Sequence, residues 1–106
     1  MSTEPLHKRL DPLIHAPVRL AILSALAGVE DADFVFLREA TGTSDGNLSA
    51  HLRKLEEAGY IHVSKDFKDR KPRTSCSMTR AGRTAFAAYL DQLELFIGHQ
   101  RDGKEG

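Results

Sequence analysis

Thr43-Ser44-Asp45-Gly46-Asn47-Leu48-Ser49-Ala50-His51-Leu52-Arg53-Lys54-Leu55-Glu56-Glu57-Ala58-Gly59-Tyr60-Ile61 is the stretch on which the fold turns. At a step of about 100° per residue, Leu48, Leu52 and Leu55 share one narrow arc, the stripe of a helix held against a core. The opposite side carries Gly46, Ala50, Arg53 and Glu57, flanked by Asn47, Ser49 and Lys54. Small residues at 46, 49 and 50 let another surface come close. Ser44 marks the start, with Thr43 as a competing cap. Gly59 marks the stop, because a residue without Cβ takes the left-handed conformation at little cost, and Tyr60 can then pack back on Leu55. A solvated surface helix would show the same pattern, so the flanking segments decide.

Upstream, Phe34-Val35-Phe36-Leu37-Arg38-Glu39-Ala40-Thr41 predicts a short helix broken by Gly42. Two helices joined by a Gly-bearing turn form a helix-turn-helix unit. Downstream, Ile61–Lys65 and Thr74–Thr79 alternate apolar and polar residues as half-buried strands do. Asp66-Phe67-Lys68-Asp69-Arg70-Lys71-Pro72-Arg73 lies between them, with Asp69 and Pro72 as turn residues. The expectation is a hairpin with a charged tip.

Charge singles out that hairpin. The chain has 106 residues and zero formal net charge, so bulk composition does not announce nucleic acid. Residues 62–83, however, hold seven basic side chains (Lys65, Lys68, Arg70, Lys71, Arg73, Arg80, Arg83) against Asp66 and Asp69, a local +5. A cationic protrusion beside a helix-turn-helix points to phosphates, since each Lys or Arg set on one releases condensed counterions. A helix of that shape fits the major groove of duplex DNA.

These residues resemble prokaryotic winged-helix regulators of the MarR/ArsR type. Ala16-Pro17-Val18-Arg19-Leu20-Ala21-Ile22-Leu23-Ser24-Ala25-Leu26 is similar to their first core helix. Phe34-x-x-Leu37-x-x-x-Thr41-Gly42 and Asn47-Leu48-Ser49-x-His51-Leu52-x-x-Leu55-Glu56-x-x-Gly59-Tyr60-Ile61 resemble their recognition segment. Lys65-x-Phe67-x-x-Arg70-x-Pro72-Arg73-Thr74, followed by Thr79-x-x-Gly82-Arg83, resembles the wing and the start of the last helix. The resemblance implies a mainly α, α+β winged helix-turn-helix and a homodimeric transcriptional regulator. It implies that Ser44, Asn47, Ser49, Ala50, Arg53 and Lys54 serve the major groove. Lys65, Lys68, Arg70, Lys71 and Arg73 would serve the wing, on phosphates or in the minor groove. Two alternatives stay open: a protein-interaction module built on the same helix, and a switch driven by a small ligand or by oxidation of Cys76.

The expected organisation is an N-terminal arm over 1–10, a winged-helix domain over 11–97 and a frayed polar tail over 98–106. Thr79 should cap a last helix running to about Ile97. Phe86, Tyr89, Leu90, Leu93, Phe96 and Ile97 recur there at steps of three and four. Only its first turns should be covered by so small a core. With Leu6, Leu10, Leu13 and Ile14 these residues form the expected dimer interface, packed across a two-fold axis. Asp11-Pro12 and His15-Ala16-Pro17 look like helix starts with Pro in the first turn.

The remaining side chains have plainer expected roles. Arg19 should pair with a nearby carboxylate, His51 should be a packed, hydrogen-bonded imidazole, and Cys76 a half-buried strand residue. Phe67 should anchor the hairpin. One cysteine and five scattered histidines give no metal-ligand pair, so no metal and no cofactor is implied. No phosphate loop, nucleophile elbow or paired catalytic carboxylates appear, so no enzyme is expected. The lone cysteine, the absence of an apolar run near 18 residues and an N-terminus without an apolar core suggest a cytoplasmic protein with no membrane contact.

Overall fold

In the computed structural model, which describes the backbone over residues 5–105 and the side chains over 8–98, the chain runs through five helices and three strands. A single turn, α1 (Leu6–Arg9), leads into a loop and then α2 (Pro17–Ala27), which begins at Pro17 as expected. Pro17 suits that place because its missing N–H falls among the unpaired donors of a helix start. Asp11-Pro12 opens only an isolated turn, closed by His15 N–H donating to the Asp11 carbonyl at 2.8 Å and Leu13 N–H to Asp11 Oδ1 at 2.9 Å.

The helix-turn-helix follows its local caps. Asp33 accepts from Phe36 N–H at 2.8 Å and starts α3 (Phe34–Thr41), which ends on Gly42 in the left-handed conformation, φ 65°. Ser44, rather than Thr43, caps α4 (Asp45–Glu57), accepting from Asn47 N–H at 3.2 Å. Its far end closes on Gly59, φ 79°, with Gly59 N–H donating to the Glu56 carbonyl and Tyr60 N–H to that of Leu55, both at 2.9 Å. This double bond pattern satisfies carbonyls that the helix end would otherwise leave unpaired.

The strands are longer than the sequence suggested, and one more is present. β2 (Ile61–Lys68) and β3 (Lys71–Met78) pair in register from Ile61↔Met78 to Lys68↔Lys71. Asp69 and Arg70 alone form the loop, at φ 53° and 66°, the two successive positive φ values of a tight hairpin turn. Pro72 is therefore a strand residue opposite Phe67, not a turn residue. It fits because β1 (Ala32–Asp33) pairs only with Cys76 and Ser75, leaving β3 as an open edge at position 72. β1 gives a sheet of order β1-β3-β2.

The core is formed where the stripe of α4 meets α2 and the base of the sheet. Leu48, Leu55, Ile22, Leu23, Leu26 and Leu37 are fully buried there, with Ile61, Cys76 and Met78 beneath. Thr79 caps α5 (Arg80–Glu105) by accepting from Gly82 N–H at 2.9 Å. The helix does not stop near Ile97; it continues to Glu105 and gives the molecule an extent of 60 × 24 × 23 Å. The expected frayed tail is thus helical through Glu105, since Gly98 weakens a helix by only about 1 kcal/mol relative to alanine and does not break it.

Four residues expected at a dimer interface are instead part of this core. Leu10, Ile14, Phe86 and Tyr89 are buried within one chain, because the 10–16 loop folds over the first turns of α5. His15 Nδ1 lies 2.9 Å from the Tyr89 hydroxyl and fixes that closure. Leu13 and Leu93 pack partly against the same cluster. The Leu6 side chain lies outside the described residues.

Candidate nucleic-acid interface

The leucine stripe of α4 is sunk in the core, which turns its other face outward: Gly46, Asn47, Ser49, Ala50, Arg53 and Lys54 are all exposed. Ser44 is exposed too, but its oxygen is engaged in the helix cap, leaving its hydroxyl proton free to donate. Lys65, Lys68, Arg70 and Lys71 are exposed along the hairpin. Among the described residues none of these six cations, two on α4 and four on the hairpin, enters an ion pair. Arg73 is different. Its Nε lies 3.3 Å from Asp66 Oδ1 and Nη2 3.5 Å from Oδ2, a cross-strand pair that raises the guanidinium pKa. Arg73 therefore leaves the set of free phosphate cations.

Helix and hairpin open into one cleft of about 250 Å³, lined by Ser49, Leu52, Arg53 and Glu56 from α4, Val63, Lys65 and Thr74 from the hairpin, and Phe34. Arg53 and Lys65 thus stand on two walls of the same depression. Sequence reasoning overlooked Arg38, whose Nη1 donates to Asp45 Oδ1 at 3.0 Å and ties α3 to the first turn of α4. The hydrogen bond and the charge of Asp45 raise the Arg38 pKa. Two residues seven apart across a turn carry no periodic signal, though an acidic first turn is a known helix-start mark that attracts a cation.

Behind α4, Arg19 departs from expectation. It finds no carboxylate; its Nε donates to the Leu13 carbonyl and its Nη1 lies 3.0 Å from His51 Nδ1. An arginine can only donate, so His51 accepts through an unprotonated Nδ1. Desolvation, then Arg19 and Lys54, lower the His51 pKa and keep the ring neutral. The expected packed imidazole is present, and it braces α4 from behind. The 10–16 loop also holds the far end of α4, since Tyr60 donates to Asp11 Oδ2 at 2.7 Å and has its pKa pushed up to about 12.

The redox alternative fails on geometry. Cys76 is buried, only 1 % exposed, and desolvation, with Glu56 adding to it, pushes its thiol up to about 11. A thiol that stays protonated and inaccessible is a poor nucleophile toward peroxide. Arg73, the expected activator, is committed to Asp66.

Residues 18–97 match the family described as winged helix DNA-binding domain. The chain belongs to that family. A relative in Methanocaldococcus jannaschii, an uncharacterized protein, is 36% identical over 81 residues, 76% of this chain and 88% of the relative. A transcriptional regulator homologue from Pyrococcus horikoshii OT3 superposes with a TM-score of 0.78 at 31% identity, over 83% of this chain and 87% of that one. A regulator of the MarR family from Enterococcus faecalis V583 shares the fold with a TM-score of 0.76 at 16% identity, over 100% and 98%. In winged-helix terms, α3 and α4 are the helix-turn-helix, α4 occupies the position of the recognition helix, and the β2–β3 hairpin is the wing. The family and the fold together make residues 18–97 a winged-helix DNA-binding domain. Among the described residues no helix is long and apolar enough to cross a membrane.

Proposed function

We propose that the protein is a sequence-specific transcriptional regulator that binds duplex DNA as a homodimer. Each α4 would lie in a major groove, with the wing on flanking phosphates or in the minor groove. The observation that carries this is the bare face of α4: small, polar and cationic, it shares one cleft with a hairpin whose exposed Lys65, Lys68, Arg70 and Lys71 have no carboxylate partner among the described residues. Asn47, Ser49, Ala50, Arg53 and Lys54 would meet base edges or adjacent phosphates. Lys65, Lys68, Arg70 and Lys71 would meet phosphates.

The dimer rests on α5. Leu90 and Ile97 stand seven residues apart on one side of that helix and are 44% and 47% exposed, with Phe96 half-buried beside them. Leu95, which lies off the expected stripe, is 59% exposed. Apolar surface running along a helix that outreaches its own domain is the kind that a second copy covers. Two copies would set the recognition helices about one DNA turn apart, roughly 34–36 Å, so the operator should be pseudo-palindromic. Sedimentation at micromolar concentration should show a dimer, and Leu90→Asp with Ile97→Asp should give a folded monomer. A wild-type monomer would end the dimeric reading.

Selection of bound sites from a random duplex pool, at stated salt, tests the function itself. It should return one pseudo-palindromic family of sequences. Lys68→Ala and Lys71→Ala should weaken binding to every sequence alike and flatten the plot of log affinity against log salt by about 0.9 for each phosphate contact removed. An unselected pool with no salt dependence would favour a protein-interaction module instead.

A further inference from the structure

Phe67 does not anchor the wing. At 76% it has the greatest exposure of any large apolar side chain among the described residues. The pairing register fixes the side on which it stands. Alternate residues of a strand share a face, so Ile61, Val63, Lys65 and Phe67 face one way, together with their partners Met78, Cys76, Thr74 and Pro72. The first rungs of that ladder lie in or against the core, and the next, Lys65 and Thr74, lines the cleft opposite Ser49 and Arg53. Phe67 and Pro72 form the following rung, farther out on the side of the wing that faces α4. The other side of the wing carries the Asp66–Arg73 pair and then Lys68 directly opposite Lys71. Like charges placed so are destabilising unless an anion lies between them. Arg70, in the left-handed conformation, projects from the loop at the end.

The wing tip is thus apolar on the side of the recognition helix and cationic on its back and end. A surface that buries its apolar face only by bringing three cations against a partner is complementary to a groove walled by phosphates. We propose that Phe67, backed by Pro72, is an apolar wedge that enters the minor groove beside the major-groove site and partly opens a base step there, with Lys68, Arg70 and Lys71 on the adjoining phosphates. This rests on the reading that the wing lies on DNA. Inserted apolar side chains unstack a step and kink the duplex toward the major groove, and the deformation is cheapest at pyrimidine–purine steps such as TA. The protein would then discriminate at flanking positions where it makes no hydrogen bond.

The test uses duplexes built on the selected site, with 2-aminopurine at the flanking step and donor and acceptor dyes at the two ends. Wild-type protein should raise the 2-aminopurine fluorescence, shorten the end-to-end distance, and prefer a TA flank over a GC-only flank. Phe67→Ala, at a site too exposed to disturb folding, should abolish the fluorescence rise and the flank preference. It should weaken binding to the TA duplex roughly tenfold, as expected for losing about half to most of one buried aromatic side chain. Its salt slope should equal that of wild type, unlike that of Lys68→Ala. Salt-dependent binding by both proteins with the same affinity, bend and flank preference would overturn the wedge while leaving the DNA reading intact. Absence of DNA binding by wild type would overturn both.

Discussion

Gly82→Ala is expected to cost about 3 kcal/mol or more, from overpacking of about 1–3 kcal/mol together with a disturbed helix cap. A Cβ built on Gly82 would lie 2.0 Å from the Tyr60 carbonyl oxygen, 2.8 Å from its carbon and 2.9 Å from Met78 Cγ. The methionine could move, but the Tyr60 carbonyl is backbone and is held on both sides. It accepts from Thr79 N–H at 3.1 Å, while the neighbouring Gly59 carbonyl accepts from Thr79 Oγ1 at 2.6 Å. Relief therefore requires the first turn of α5 to back away from the end of α4, which strips Thr79 of the contacts that cap the helix. On a domain whose whole stability is about 5–15 kcal/mol, such a loss should lower the melting temperature by roughly 12–24 °C. Gly46→Ala is the control. Nothing lies within 4 Å of a Cβ there, and the residue sits in the first turn of α4, so alanine should stabilise by up to about 0.5–1 kcal/mol. Thermal melts of the two variants should move in opposite directions. If Gly82→Ala melts within a degree or two of wild type, α5 does not start against Tyr60 as described.

The same corner shows how far the sequence could be followed. Thr79 as a cap, Gly59 as a left-handed stop and Gly42 as a breaker are local matters, decided by residues three or four apart, and each was legible. What makes Gly82 necessary is an approach between segments 22 residues apart in the chain (Tyr60 and Gly82), and no local pattern encodes it. β1 was invisible for the same reason: Ala32 and Asp33 are a strand only because Ser75 and Cys76 pair with them. The three- and four-residue spacing on α5 marks an apolar stripe, but periodicity cannot say what covers it. The 10–16 loop does so for Phe86 and Tyr89, held by the His15–Tyr89 and Tyr60–Asp11 bonds, and leaves Leu90 and Ile97 bare. On the candidate interface, the bare face of α4 followed from the leucine stripe alone. The engagement of Arg73 by Asp66 depended on a cross-strand register, and that register depended on a two-residue loop at Asp69 and Arg70 that the sequence, with Pro72 nearby, did not reveal.

Arg53→Ala should weaken binding to the selected operator by about 1–3 kcal/mol, roughly 5- to 150-fold, and relax preference at one base position. The two cations of α4 differ in placement. Arg53 lies on the wing side of the helix and lines the cleft with Ser49 and Lys65, whereas Lys54 is among the charges that act on His51. Under the proposed docking, Arg53 would therefore be the cation placed between helix and wing to reach a base edge. No carboxylate within ion-pair distance holds it back among the described residues, although Glu57 follows one turn later on the same face. A planar guanidinium can donate two parallel bonds to the O6 and N7 of guanine, which an ammonium cannot reproduce. Arg53→Lys should accordingly keep the salt slope of wild type and still lose the base preference, while Arg53→Ala should lose both the preference and up to about one unit of slope. Stability should change by no more than about 0.5 kcal/mol in either variant, because the side chain is exposed and packs against nothing that folding needs. Repeating the site selection with each variant reads the effect directly: an unchanged preferred sequence with Arg53→Ala would move base reading away from Arg53 and onto Asn47 and Ser49.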